Sequence, residues 1–219
     1  MHLSIEAAAY GTLFGVALND QDLLDSLLPT FQQPPYKQPP TQPVLFIKTP
    51  NTRNHHGGTV TKPANERLQA GPALGVVMAQ AASRVTAKKA LSYVAGYTIV
   101  NEFSLPEDSY YRPAVQAKCR DGFCALGPDV VPAAAVPDPQ TLGIRLYING
   151  QLRQQGATTQ HVRSVAQLIA QISTFMTLNA GDVLITGTPP GRVDVQVGDE
   201  VAVEIDGLGR LVNTVIAEV

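Results

Sequence analysis

The sequence predicts a β-rich α+β fold with two or three helices. Three observations point to it. Short apolar or alternating runs bounded by glycine and proline recur along the chain, Asn149-Gly150 sits inside one alternating segment, and few stretches repeat apolar residues at helical spacing. The connections are long and uneven, which argues against a repeat architecture. A chain of 219 residues suffices for one domain with a substantial core. One domain over residues 1–219 is therefore expected, with residues 1–43 as a strand, a helix and a proline-rich connector packed on it.

Residues 12–18, TLFGVAL, read as a strand, and Asn19-Asp20 then start a short helical pattern with Leu23, Leu24, Leu27 and Leu28 on one side. Helix cannot continue far past Pro29. The run PPYKQPPTQP within residues 32–43 reads as an extended connector with polyproline character. Residues 44–47 form a brief buried strand ending in Lys48, and residues 49–67 are irregular by composition and belong on the surface. His55-His56 in that loop lacks acidic or cysteine partners nearby, a weak case for metal ligation.

Residues 74–78 are apolar enough for a central strand, and SRVTAKKALSYVAGY carries Val85, Ala87, Leu91 and Val94 opposite lysines, as a short helix would. After Pro128, DVVPAAAVPDPQ reads as a proline-punctuated crossing. In residues 143–154 the alternation around Asn149-Gly150 is the strongest hairpin signal of the chain. Ser164 and Gln167 fit a capping box, followed at helical spacing by Val165, Leu168, Ile169, Ile172 and Met176. GDVLITG, DEVAVEIDG and RLVNTVIAEV then read as three strands separated by glycine turns.

The formal charge of −2, with lysine and arginine scattered, gives no electrostatic footprint for nucleic acid or an anionic membrane. No apolar segment approaches the length of a membrane span, and the N-terminus lacks the basic start and apolar stretch of a signal peptide, so a cytoplasmic protein is expected. Cys119 and Cys124 are spaced neither as a redox pair nor as metal ligands; two reduced thiols or a local disulfide remain as readings.

Residues 96–128 hold most of the unusual chemistry. A buried strand at residues 97–100 delivers Glu102 at its end, and the segment closes with Lys118, Arg120 and Asp121 beside a Gly122 turn. One turn-rich connection thus carries acids, tyrosines, arginines and a lysine, suited to lining a pocket for a polar, anionic small molecule. The other reading is a solvated loop with ordinary ion pairs.

The run ITGTPPGRVDVQVGDEVAVEIDGLGRLVNTV resembles the C-terminal signature of the fumarylacetoacetate hydrolase family, and PVLFIKTP, VAGYTIVNE and AKCRDGFCALGP resemble three further family blocks in the same order. SLPEDSYYRPAVQAKCRDGF is most similar to the branch that decarboxylates and isomerises intermediates of 4-hydroxyphenylacetate breakdown, and there to an N-terminal half that some bacteria encode as a separate subunit. The resemblance implies a mixed β-sandwich roll and an anionic 2-oxo-acid substrate. It also implies a divalent ion, magnesium or manganese, held by two glutamates spaced E-x-E on one strand and an aspartate ending the next. Such hard cations demand several oxygen ligands, and strand positions i and i+2 face the same side.

On that pattern the ligand positions fall on Gly71, Ala73 and Glu102, and no aspartate or glutamate occurs between residues 67 and 101. Glu102 is the only remaining metal candidate of the three. A His-x-x-Glu acid/base pair of many members falls on Leu23 and Ser26. Lys118 and Asp121 match a K-x-x-D-G block and are the catalytic candidates the resemblance implies; Thr188 matches a turn that meets a substrate carboxylate, and Lys48 and Arg112 add positive charge. Two expectations follow: an enzyme subunit whose metal sits on a homologous partner subunit, or a non-catalytic scaffold of an active paralogue. Either implies a homo- or hetero-oligomer.

Overall fold

In the computed structural model, which describes residues 10–107 and 109–218, strand is the main regular secondary structure. In order the strands are β1 (Leu13–Ala17), β2 (Val44–Lys48), β3 (Arg53–His55), β4 (Thr59–Lys62), β5 (Leu68–Ala70), β6 (Pro72–Met78) and β7 (Val94–Glu102). Then follow β8 (Cys124–Pro132), β9 (Gly143–Ile148), β10 (Gln151–Ala157), β11 (Val183–Ile185), β12 (Val193–Val195), β13 (Glu200–Ile205) and β14 (Gly209–Ala217). The helices are short: α1 (Gln21–Ser26), α2 (Leu28–Phe31), α3 (Ala87–Ala90), α4 (Val115–Lys118) and α5 (Val165–Ile172). This is the β-rich α+β roll that the sequence implies. Among the described residues no helix is long and apolar enough to cross a membrane.

A seven-stranded mixed sheet runs β2-β1-β11-β6-β7-β8-β3, a five-stranded one runs β10-β9-β13-β14-β4, and β12 pairs with β5. The sheets meet where β13 and β14 lie over β7 and β8, and the larger apolar core fills that contact and takes in α5. A smaller core, including Leu13, Ala73, Val100, Cys124 and Ile185, lies among β1, β6, β7, β8 and β11. β6 is central and buried at all seven positions, which is why its sequence is continuously apolar rather than alternating.

The local signals explain the best-defined elements. Asn149 and Gly150 both adopt left-handed φ values, 51° and 77°, as a two-residue hairpin turn between β9 and β10 requires. Ser164 Oγ accepts from Gln167 N at 3.2 Å while Gln167 Oε1 accepts from Ser164 N at 2.8 Å, and Val165, Leu168, Ile169 and Ile172 of α5 are buried. Asp20 caps α1 by accepting from Leu23 N at 3.1 Å. Cys119 and Cys124 are free thiols.

Four expectations need correction. Residues 49–67 are not wholly irregular: β3 and β4 lie there, adding in parallel to β8 and β14. Their sequences, Arg-Asn-His and Thr-Val-Thr-Lys, are too polar and short to signal strands, because each pairs at a sheet edge. The first four residues of the proline-punctuated stretch after Pro128, 129–132, continue β8. There the register against β7 passes from Ile99↔Gly127 to Tyr97↔Val131, so Pro128 sits in a bulge where no ladder N–H is needed. β2 is an edge strand, with Ile47 48% exposed, and of its residues Lys48 alone is buried. Finally, no residue of α1 is buried; Leu23 faces a cleft instead of the core.

The proline-rich connector is tied down by aromatic contacts. The Tyr36 ring lies edge-on to Phe31 at 5.1 Å and to Tyr111 at 6.2 Å, and its hydroxyl accepts from Tyr110 N at 2.7 Å. This holds residues 109–111 beside the mouth of the cleft.

Candidate active site

β7 ends on Glu102, which pairs across the ladder with Cys124 and is 1% exposed. A carboxylate so deeply buried requires compensation, and three cations from distant parts of the chain supply it. Lys48, at the end of β2, places Nζ 2.7 Å from Glu102 Oε1. Lys118, the last residue of α4, places Nζ 3.1 Å from Oε2. Arg192, in the turn that leads into β12, donates from Nη2 to the same carboxylate and from Nη1 to the Glu102 main-chain oxygen at 2.9 Å.

Lys48 is the structural member of the trio. Besides Glu102, its ammonium lies 2.8, 2.7 and 3.0 Å from the main-chain oxygens of Phe103, Lys118 and Phe123. It therefore pins three chain segments to one point and has no donor left for anything else. Lys118 is placed differently. Its Nζ also meets Glu107 Oε2 at 2.8 Å, sits 4.5 Å from the centre of the Phe46 ring, and lies at the wall of a cleft.

The electrostatics follow from burial and neighbours. Burial pushes the Glu102 carboxyl up, but the charges of Arg192, Lys118 and Lys48 outweigh it and hold the group well below the usual carboxylate range. Burial pulls Lys48 down and the adjacent Glu102 carboxylate opposes it; its four acceptors require the charged ammonium. The guanidinium of Arg192 is raised: burial acts against the charge, and Glu102 more than offsets it. Burial pushes the Cys124 thiol up to about 12, so it stays protonated and behaves as an apolar side chain.

The cleft has a volume of about 190 Å³ and is lined on its polar side by Glu102, Glu107, Tyr110, Lys118, Thr188 and Arg192. The Gly187 backbone, at φ 120°, packs against Asn19 and Val16, a close approach that brings the Thr188 turn to the cleft. Of the residues singled out in the sequence, Glu102, Lys118 and Thr188 thus meet in one place, with Lys48 behind Glu102. Asp121 and Arg112 lie elsewhere: Asp121 is exposed and accepts from Asn51 Nδ2 at 2.6 Å, and Arg112 is exposed on a neighbouring depression that also includes Glu107. Leu23, at the first position of the acid/base pair, lines the cleft, while Ser26 only donates to Leu23 O at 2.7 Å.

Arg192 was not singled out by the sequence. It sits between Gly191 and Val193 in a turn, and its partner Glu102 is 90 residues away along the chain. The available signal was indirect: a buried strand ending in a lone glutamate demands a cation.

The residues present do not fit a divalent ion. Among the described residues, no group of three or more His, Cys, Asp and Glu side chains is arranged to hold one. Gly71 lies beside Glu102, whose N–H donates to Gly71 O at 2.8 Å. A Cβ built on Gly71 would collide with the Glu102 main-chain oxygen and lie 2.6 Å from Arg192 Nη1. The direction in which the first ligand of the E-x-E pattern would point is thus filled by a guanidinium. Ala73 is buried in the smaller core. His55 and His56 offer no alternative centre: His55 Nδ1 lies 2.8 Å from His56 O, and His56 Nδ1 accepts from Val212 N at 3.2 Å.

A mixed β roll whose strand ends converge on a small cleft of opposed carboxylates and cations is the class this fold and site define. The sequence model described as "Fumarylacetoacetate (FAA) hydrolase C-terminal" matches residues 12–216, and the chain belongs to that family. It is 44% identical over 208 residues to a "4-hydroxyphenylacetate degradation bifunctional isomerase/decarboxylase" of Salmonella dublin, a match covering 95% of this chain and 48% of the relative. The chain thus spans about half the length of that relative. Among solved structures it resembles a 2-hydroxyhepta-2,4-diene-1,7-dioate isomerase from Mycobacterium marinum (TM-score 0.82, 28% identity, 96% of this chain and 76% of that one). It also resembles a maleylpyruvate hydrolase from Sphingobium sp. SYK-6, solved with manganese(II) and pyruvate (TM-score 0.80, 25% identity, 96% and 72% covered).

Proposed function

We propose that this chain is a subunit of a decarboxylase/isomerase acting on 5-oxopent-3-ene-1,2,5-tricarboxylate and 2-hydroxyhepta-2,4-diene-1,7-dioate in 4-hydroxyphenylacetate catabolism. The half-length match to a bifunctional relative supports a chain that works beside a homologous, metal-binding one. The observation that carries the reading is the meeting of Lys118 and Thr188 in one cleft where, among the described residues, Lys48, Lys118 and Arg192 face two carboxylates, Glu102 and Glu107. The surplus positive charge favours an anionic substrate.

In this reading Lys118 supplies charge or gives a proton to one carbon of the reacting skeleton, and in the isomerisation Glu107 beside it accepts the proton that another carbon gives up. Thr188 and its glycine-rich turn hold a carboxylate, and Arg112 at the neighbouring surface meets a second one. Lys48 acts through Glu102, and Asp121 through Asn51, whose Nδ2 also donates to Cys119 O at 3.0 Å beside Lys118. Self-association, or association with the metal-binding homologue, completes the enzyme.

Both reactions should run faster with this chain and the metal-binding homologue together than with either alone, and the mixture should show a mass above that of either component. An unchanged rate on adding this chain would remove its catalytic role. It would leave the second reading, a non-catalytic scaffold, which is favoured by the lack of any metal-holding group among the described residues.

A further inference from the structure

Arg192 occupies the space in front of Gly71, and its hydrogen bonds do not exhaust it. A guanidinium carries five N–H donors in a planar fork. Two go to Glu102, one to the carboxylate and one to the main-chain oxygen, which leaves three without a partner among the described residues. The side chain is 21% exposed and faces the cleft beside Lys118, Tyr110 and Thr188. Glu102 fixes one edge of the fork, so an incoming carboxylate meets a cation already held in place and loses little to its ordering. The remaining donors match the geometry of a carboxylate, and among the described residues the cluster has one positive charge in excess of its two carboxylates.

We propose that Arg192 is the resident cation of this cleft: it fills the direction toward which a metal ligand at position 71 would point, and it binds the carboxylate of a small 2-oxo or dicarboxylic acid directly, with no divalent ion. The proposal rests on reading the cleft as the substrate site, but it concerns binding and requires no turnover. Lys118 and the Thr188 turn form the remaining walls. Glu102 is the positioning residue that orients the guanidinium.

Titration calorimetry of oxalate into the wild-type chain, first with EDTA and then with added Mn²⁺, tests it. Oxalate should bind in EDTA with an affinity that Mn²⁺ leaves unchanged. Arg192→Gln should weaken it by about tenfold or more, as expected for losing a charge-assisted bond, and Arg192→Lys should recover part of that loss by restoring charge without the fork. Thermal midpoints establish that the variants are folded; if the glutamine variant does not fold, the lysine variant carries the comparison. Oxalate binding that needs Mn²⁺, that is absent in both buffers, or that is indifferent to substitution at Arg192 would overturn the proposal. Metal-free oxalate binding without any gain in the mixing experiment would remove the catalytic reading and leave this one standing; the reverse pattern would overturn only this one.

Discussion

Glu102→Gln is expected to destabilise the protein by about 3–5 kcal/mol at neutral pH, the usual cost of removing one partner from a buried charge network. The carboxylate is the common partner of Lys48, Lys118 and Arg192, so its loss leaves three cations facing one another with Glu107 as the remaining anion among the described residues. Lys48 suffers most: its ammonium is buried and cannot turn to water, and its other contacts are carbonyl dipoles. Urea unfolding of wild type and variant at neutral pH measures the difference.

The pH dependence of that difference has a defined sign. The carboxyl is held well below its ordinary value in the folded state, so its stabilising contribution is complete above the unfolded value, about 4.3, and is lost as pH falls from there toward the folded value. The gap between wild type and Glu102→Gln should therefore narrow below about pH 4. A gap that stays constant into stronger acid would show that the carboxylate is not held ionised by its neighbours.

Phe103→Ala should cost a similar amount, about 3–5 kcal/mol, for a different reason: a fully buried ring leaves a cavity that a close-packed interior cannot collapse around. Phe103 is completely buried in the larger core, next to Glu102, and its main-chain oxygen accepts from Lys48 at 2.8 Å. The ring thus anchors the point where the apolar core gives way to the charge cluster. A loss below about 1 kcal/mol, the size expected at an ordinary surface position, would mean that this packing does not support the site.

The elements read correctly in the sequence are those in which local chemistry and tertiary packing agree. β6 and β7 are apolar because both are interior strands, and α5 and the β9-β10 hairpin carry their own cap and turn residues. Elements that depend on a neighbour were harder to see. β3 and β4 exist because β8 and β14 present edges to them, and β8 continues past Pro128 because a bulge excuses the missing N–H. The leucines of α1 imitate a core face although the helix lies over a cleft.

The site was legible to a similar degree. Glu102 and Lys48 could be noticed because each ends an apolar run, yet nothing local indicates that the two ends meet at 2.7 Å. Arg192 carried no local signal beyond its turn. That the resemblance lays its ligand positions on Gly71 and Ala73, neither an acid, is readable in the sequence; that Arg192 lies in front of Gly71 is not, because a guanidinium arriving from another strand's approach is a long-range event.

Titration of Mn²⁺ into the wild-type chain alone, followed by electron paramagnetic resonance, tests most directly whether the guanidinium has taken the ion's place. The signal of the free aqueous ion should persist undiminished up to the protein concentration. Uptake of one ion per chain, abolished by Glu102→Gln, would contradict this and restore a metal centre to this polypeptide.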